Sequence, residues 1–413
     1  MTAAHPTEAM PAPRAFWEEL FVAKAGDGDV ARVEMRAVSK RGQPFLLLPC
    51  RRHAARTVLS LYPAQTPRAR AAKVVLSWLV RAGANLGTKP ISLAISPHEA
   101  FAVFLTSLAA GARPGTGAAT LASAGAGGPF TTRRRSDVAA PGDGRAQGLP
   151  TLGILAGNPA SDGQRFLLLV FNASQEPVAV VKAGLNERAR LLIQEEESFL
   201  AMVPPRTSGV PRLRATFQRP DLRALALDYF AGDSPRPRDE GALPVLLASW
   251  VDPQRTLVVA DTPGWARLES AASASEWFAP LAGQLRNRAI HPAIQHGDMA
   301  PWNIKVSPAG AWTVLDWERG ELVGIPGWDW FHYVIQPAIL VEHLPAAELV
   351  RRVEGLLGSD AFKVYATRSG IIGCERELVL AYLLHAVEVI RPSEGLAATR
   401  DLLRALAARW RPG

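Results

Sequence analysis

His296-Gly297-Asp298-Met299-Ala300-Pro301-Trp302-Asn303 runs directly into Ile304-Lys305-Val306, a Ser307-Pro308-Ala309-Gly310 turn, and then Trp312-Thr313-Val314-Leu315-Asp316-Trp317-Glu318. The apolar and β-branched residues of 304–306 and 312–315, split by a Pro- and Gly-containing turn, read as two short strands of a hairpin. A hairpin returns the chain to its starting end. Asn303, before the first strand, and Asp316, after the second, therefore meet, and Asp298 lies just upstream on the loop that feeds them. Three oxygen-bearing side chains converge there. Magnesium keeps several waters and needs few protein ligands, so an amide oxygen and a carboxylate completed by phosphate oxygens make a sufficient site.

The ordered set His296-Gly297-Asp298, Asn303, Leu315-Asp316-Trp317-Glu318 and Gly324-Ile325-Pro326-Gly327-Trp328-Asp329 resembles the aminoglycoside phosphotransferase and choline kinase-like family. That resemblance implies an α+β, bilobal protein-kinase-like fold, with a small antiparallel-sheet lobe and a mainly helical large lobe, here preceded by an N-terminal α/β extension. It implies ATP or GTP as donor, Mg2+ as cofactor, and a hydroxyl of a small molecule, such as an amino alcohol, a sugar or an aminoglycoside-like compound, as acceptor. By the same resemblance Asp298 is the catalytic aspartate, and Asn303 and Asp316 are metal ligands. Asp329 braces the loop, His296 holds backbone, and Glu318 belongs to the second motif. A nucleotide-binding scaffold without activity is the alternative. Asp316-Trp317-Glu318 in place of Asp-Phe-Gly, with no Ala-Pro-Glu element after it, argues against a protein kinase.

Upstream, Leu152 to Leu155, a loop from Ala156 to Gln164, Arg165 to Phe171 and Pro177 to Val181 read as strand, loop, strand, strand. In a kinase-like small lobe that loop covers the phosphates, which selects Gly157, Asn158 and Ser161, although the full Gly-x-Gly-x-x-Gly pattern is absent. Val178-Ala179-Val180-Val181-Lys182 resembles the Val-Ala-Ile-Lys strand of kinases, which makes Lys182 the phosphate-binding lysine. Asn186 caps a helix reaching about Val203, and Glu196 falls within its apolar stripe of Leu192, Phe199 and Val203. A buried carboxylate requires a cation, and Lys182 is the expected partner. Thr256 to Ala260 and the following Asp261-Thr262-Pro263-Gly264 read as the last small-lobe strand and a hinge, with Ala260 and Thr262 placed at the adenine.

The 413 residues suffice for several domains. A front α/β module over 1–110 is expected, with a strand at Phe45 to Leu48, a helix from Thr66-Pro67 carrying Val74, Val75, Trp78 and Leu79, a strand at Ile91 to Ile95 and a helix from Pro97 to Ala110. Residues 111–150, rich in Gly, Ala, Ser, Thr and Pro and holding Arg133-Arg134-Arg135, read as a flexible linker. The small lobe then covers 151–263 and the large lobe 264–413, with helices at Trp328 to Glu342, Ala346 to Leu357, Glu375 to Ile390 and Glu394 to Arg409.

Before Gly297 34 Lys and Arg face 24 Asp and Glu, and from Gly297 onward 12 face 14, so the +8 formal charge lies upstream. These arginines are dispersed rather than striped with aromatics, which argues against nucleic acid as a partner. The apolar runs stop short of a membrane span and the first residues lack a signal pattern, so a cytoplasmic protein is expected. Cys50 and Cys374 are too few and too far apart for a disulfide framework or a zinc site.

Overall fold

The computed structural model describes residues 16–21, 30–40, 42–62, 67–84, 87–111, 149–157 and 163–410. They divide into two compact units. The first takes in Met1–Tyr62, Val75–Arg190 and Arg214–Tyr229, the second Pro63–Val74, Leu191–Leu213 and Phe230–Gly413. The architecture mixes one large antiparallel sheet with many helices.

The first unit is built on an eight-stranded sheet of order β3-β1-β2-β4-β5-β6-β8-β7. Its strands are β1 (Ala31–Lys40), β2 (Gln43–Pro49), β3 (Thr88–Ile95), β4 (Leu152–Ala156), β5 (Arg165–Phe171), β6 (Pro177–Gly184), β7 (Leu213–Arg219) and β8 (Leu222–Asp228). Side chains alternate across a strand, so each face collects its own apolar set. Met35, Leu47, Leu93, Ile154, Leu168 and Val181 form one core with helices α1 (Phe16–Leu20) and α4 (Ala100–Ala109). Leu46, Leu48, Leu155, Leu169 and Phe171 form the other with helix α2 (Arg52–Leu59). Helix α4 begins where the Glu99 carboxylate accepts the Ala102 N–H at 2.9 Å, and Arg219 ties the same carboxylate to β7 at 2.8 Å.

One expectation is corrected here. The front segment is no separate module, because β2 pairs with β4 through Leu46↔Leu155 and Leu47↔Ile154 and so puts β1 to β3 in the same sheet as β4 to β8. Sequence-local patterning cannot see a pairing between strands a hundred residues apart. In helix α3 (Pro67–Ala82), Val74, Val75 and Trp78 lie exposed, and Leu76 and Val80 are the residues that pack on the sheet core. Most of the expected linker, its Arg133-Arg134-Arg135 run included, lies outside the described residues.

The second unit is mainly helical, with α6 (Leu243–Trp250), α7 (Pro263–Ala272), α8 (Phe278–Leu285), α9 (Trp328–Leu340), α10 (Ala346–Gly358), α11 (Asp360–Ser369), α12 (Glu375–His385) and α13 (Leu396–Arg409). Helix α5 (Glu187–Met202) contributes its residues from Leu191 onward. Its start is fixed by Asn186, whose side-chain oxygen accepts the Ala189 N–H at 2.8 Å. Small ladders carry the loops between helices: β9 (Leu257–Val258) with β10 (Ala289–Ile290), β11 (Ala293–Gln295) with β14 (Glu321–Gly324), and β12 (Ile304–Val306) with β13 (Trp312–Val314). No helix among the described residues is long and apolar enough to cross a membrane.

Candidate active site

The β12–β13 hairpin has the register Ile304↔Val314, Lys305↔Thr313, Val306↔Trp312. One residue beyond it, Leu315 N–H donates to the carbonyl of Asn303 at 2.7 Å. Asn303 and Asp316 consequently flank the same end of the hairpin, opposite its turn. Asp316 adopts φ 66°, a left-handed conformation that Asp tolerates better than most side chains and that costs on the order of 1 kcal/mol. This turn redirects the chain so that Trp317 goes inward. Its indole stacks on Phe199 (4.7 Å, 5°), meets Trp250 edge-on (5.3 Å), and donates to the Val314 carbonyl at 2.8 Å. Trp317 N–H donates to the Glu196 carboxylate at 3.2 Å, and Glu196 is fully buried within the second unit. The tryptophans at 317 and 328 are core residues, whereas Trp302 is half-buried at the cavity described below.

The loop at 296–298 is held at both backbone and side chain. Asp329, in the first turn of α9, accepts the amide hydrogens of His296 at 2.6 Å and Gly297 at 2.9 Å. Burial pushes the Asp329 carboxyl above its ordinary range, and those two N–H bonds work against the shift. Gly297 sits at φ 79°, and a Cβ there would stand 2.9 Å from the Cβ and carbonyl oxygen of Arg319, so this turn accepts only glycine. His296 has no exposed surface. Its Nδ1 accepts the Asp298 N–H at 3.2 Å, and its Nε2 is 2.7 Å from the Leu315 carbonyl. Only the tautomer with hydrogen on Nε2 satisfies both bonds, so this imidazole stitches the loop to the end of the hairpin.

These constraints place the Asp298 carboxylate between two donors. Asn303 Nδ2 reaches its Oδ2 at 3.1 Å and its carbonyl oxygen at 2.8 Å, while His332 Nε2, from α9, reaches Oδ1 at 3.1 Å. Burial alone would raise the carboxyl, but the hydrogen bond from His332, with the charge of Arg319, outweighs it and holds Asp298 below its usual value. The bonds to Asp298 also orient the Asn303 amide, with Nδ2 toward Asp298 and Oδ1 turned away from it.

Asp298, Arg319, His332, Gln336, Tyr382 and His385 line one cavity of about 690 Å³ within the second unit, and Glu318 reaches it half-buried. Arg267 pairs with Glu321 on its wall. His385 is pushed down to about 3, first by burial and then by Arg267 and Arg319, so it is a neutral imidazole. Among the described residues no group of three or more His, Cys, Asp and Glu could hold a metal ion. Asn303 and Asp316 supply an amide and a carboxylate oxygen beside the hairpin, a sparse set of the kind a magnesium ion that keeps waters and phosphate oxygens in its shell would accept.

Of the remaining sequence-selected residues, Gly157 closes the β4–β5 connection: its N–H donates to the Arg165 carbonyl at 2.8 Å, and a Cβ would lie 2.5 Å from that oxygen. Asn158 and Ser161 lie outside the described residues. Lys182 is buried in β6 of the first unit, in register with Leu167 and Leu225. Ala260 and Thr262 do not form the expected strand and hinge. Leu257 and Val258 pair with β10 instead of the large sheet, the Ala260 N–H is taken by the Arg286 carbonyl at 3.1 Å, and fully buried Thr262 caps α7 by accepting the Trp265 N–H at 3.3 Å. The Thr-Pro pair was a helix start, a cap followed by proline at the first position, rather than a strand end. His332, Gln336 and Tyr382 were missed. His332 and Gln336 sit four residues apart on one helix face, the only sequence signal, and nothing local announces Tyr382.

No protein-family model and no curated protein matches the chain. Solved structures similar to it include a thermostable mutant of an aminoglycoside phosphotransferase in ternary complex with ADP and hygromycin B (11% identity, TM-score 0.41, covering 63% of this chain and 95% of that one). Another is an aminoglycoside phosphotransferase from Streptomyces rimosus (14%, 0.35, 53% and 87%). A third is an ethanolamine kinase from Plasmodium vivax (11%, 0.41, 62% and 81%).

Proposed function

We propose that this chain is an ATP-dependent phosphotransferase that moves the terminal phosphoryl group to a hydroxyl of a small molecule. The observation that carries the reading is the clamped Asp298: one carboxylate oxygen on Asn303, the other on His332, at the wall of a cavity large enough for a small acceptor. Asn303 Oδ1 and the Asp316 carboxylate would hold magnesium, which when bound supplies positive charge to the nucleotide phosphates.

Asp298 orients the acceptor hydroxyl through a lone pair not used by Asn303 or His332, and takes the hydroxyl proton late in the transfer. A loose transition state needs alignment more than basicity, so an aspartate held below its usual pKa is compatible with this role. Asp329 and His296 keep the loop in that alignment from beneath. Lys182 enters the reading as the amine that offsets phosphate charge, on the strength of its strand pattern alone.

Magnesium-dependent turnover of ATP and GTP, measured with a panel of sugars, amino alcohols and aminoglycosides, tests the reading. Transfer to at least one hydroxyl is expected, and Asp298→Asn should lower turnover by several orders of magnitude with nucleotide affinity nearly unchanged. Nucleotide binding without transfer to any acceptor would favour a scaffold instead.

A further inference from the structure

We infer that His332 is a positioning residue for Asp298, oriented by a hydrogen-bonded chain running from the Tyr382 hydroxyl through the imidazole to the carboxylate. The inference deepens the proposed function, since it takes Asp298 as the group that meets the acceptor hydroxyl.

The bond polarities follow from the end of the chain. A carboxylate only accepts, so His332 Nε2, 3.1 Å from Asp298 Oδ1, carries hydrogen. The other ring nitrogen, Nδ1, lies 3.0 Å from the Tyr382 hydroxyl. With Nε2 as the donor to Asp298, Nδ1 accepts the phenolic hydrogen. Every group in this chain is used in one direction. Such unidirectional chains polarise their members and strengthen the terminal bond.

Packing fixes the parts. Gln336 and Tyr382 are buried, with 6% and 5% of their surface exposed. The Tyr382 ring meets His332 edge-on (6.1 Å, 80°) and lies against Trp328 (6.3 Å) and Phe331 (6.1 Å). With Asn303 on Oδ2 and His332 on Oδ1, the Asp298 carboxylate cannot rotate without breaking a bond. Its unused lone pairs keep one direction toward the cavity that His332, Gln336 and Tyr382 also line.

Two measurements on the full chain test this. In histidine-ring nitrogen NMR, His332 should hold hydrogen on Nε2 in a single tautomer, and Tyr382→Phe should shift its Nδ1 signal while leaving the fold's other histidine signals in place. Tautomer averaging in the wild type, or hydrogen on Nδ1, overturns the chain whether or not the protein transfers phosphoryl groups. In kinetics with an accepted hydroxyl, His332→Leu should lower kcat on the order of 100-fold, with the KM of both substrates within about twofold. His332→Gln, which restores an N–H near the Nε2 position, should recover part of the loss. Equal kcat in wild type and His332→Leu overturns the positioning role while the functional reading stands. A wild type inactive on every acceptor sinks that reading, and with it the catalytic purpose of the chain.

Discussion

Asp329 grips the loop ahead of Asp298 by its backbone: one carboxylate oxygen accepts His296 N–H at 2.6 Å, the other Gly297 N–H at 2.9 Å. Two donors from consecutive residues on a single carboxylate define the loop's height and tilt relative to α9. An amide cannot reproduce this, because one of its two ends would turn a donor toward a donor.

Asp329→Asn should therefore cost about 1 to 3 kcal/mol of stability through the unpaired buried N–H. Turnover should fall on the order of 100-fold as Asp298 shifts. Urea unfolding and steady-state kinetics check both. A variant with wild-type stability and rate would mean the loop holds its shape without this brace.

Gly297→Ala places a methyl group against the Arg319 backbone in a left-handed conformation. A loss of about 1 to 3 kcal/mol is expected. The melting temperature should drop by a few degrees. Alanine at a neighbouring exposed glycine such as Gly310 leaves open space around its Cβ, although the φ of 82° there still carries some strain. The difference between the two melting curves isolates the close approach at Arg319.

The depressed pKa of Asp298 sets the acid limb of the reaction. The carboxylate persists above its folded pKa, which lies under the ordinary aspartate value of about 3.9. Transfer rate should thus stay level as pH falls from 8 toward 5, so far as Asp298 governs it. A sharp loss of kcat centred near pH 6 that vanishes in no other variant would contradict an Asp298 held ionised by His332 and Arg319.

His385 links stability to acid. Its folded pKa of about 3 lies below the unfolded value of about 6.5. The unfolded chain therefore binds the extra proton between those limits. The contribution is intact above pH 6.5 and is lost as pH falls toward 3, with a slope approaching about 1.4 kcal/mol per pH unit. Unfolding free energies at pH 7, 5.5 and 4.5 should fall less steeply in His385→Leu than in the wild type, and parallel curves would refute the assignment.

Much of the hairpin site was legible because its logic is local. Ile304–Val306 and Trp312–Val314 alternate and turn within a few residues, so the meeting of Asn303 and Asp316 follows from chain geometry alone. Asn186 as a helix cap was likewise readable from neighbouring residues. Thr262 was misread because a strand end and a helix start share their punctuation, and only the partners of Leu257 and Ala260 tell them apart.

By itself the sequence determined that Asn303 and Asp316 flank the end of the β12–β13 hairpin away from its turn, and which helices and strands form nearby, since periodicity, caps and turns act over a few residues. Only the tertiary structure decided that β1 to β3 extend the same sheet as β4 to β8, and that His332 and Tyr382 complete the surroundings of Asp298. Those pairings join residues tens to a hundred positions apart, and their free energy comes from burial and hydrogen bonding that exist only once the chain has folded.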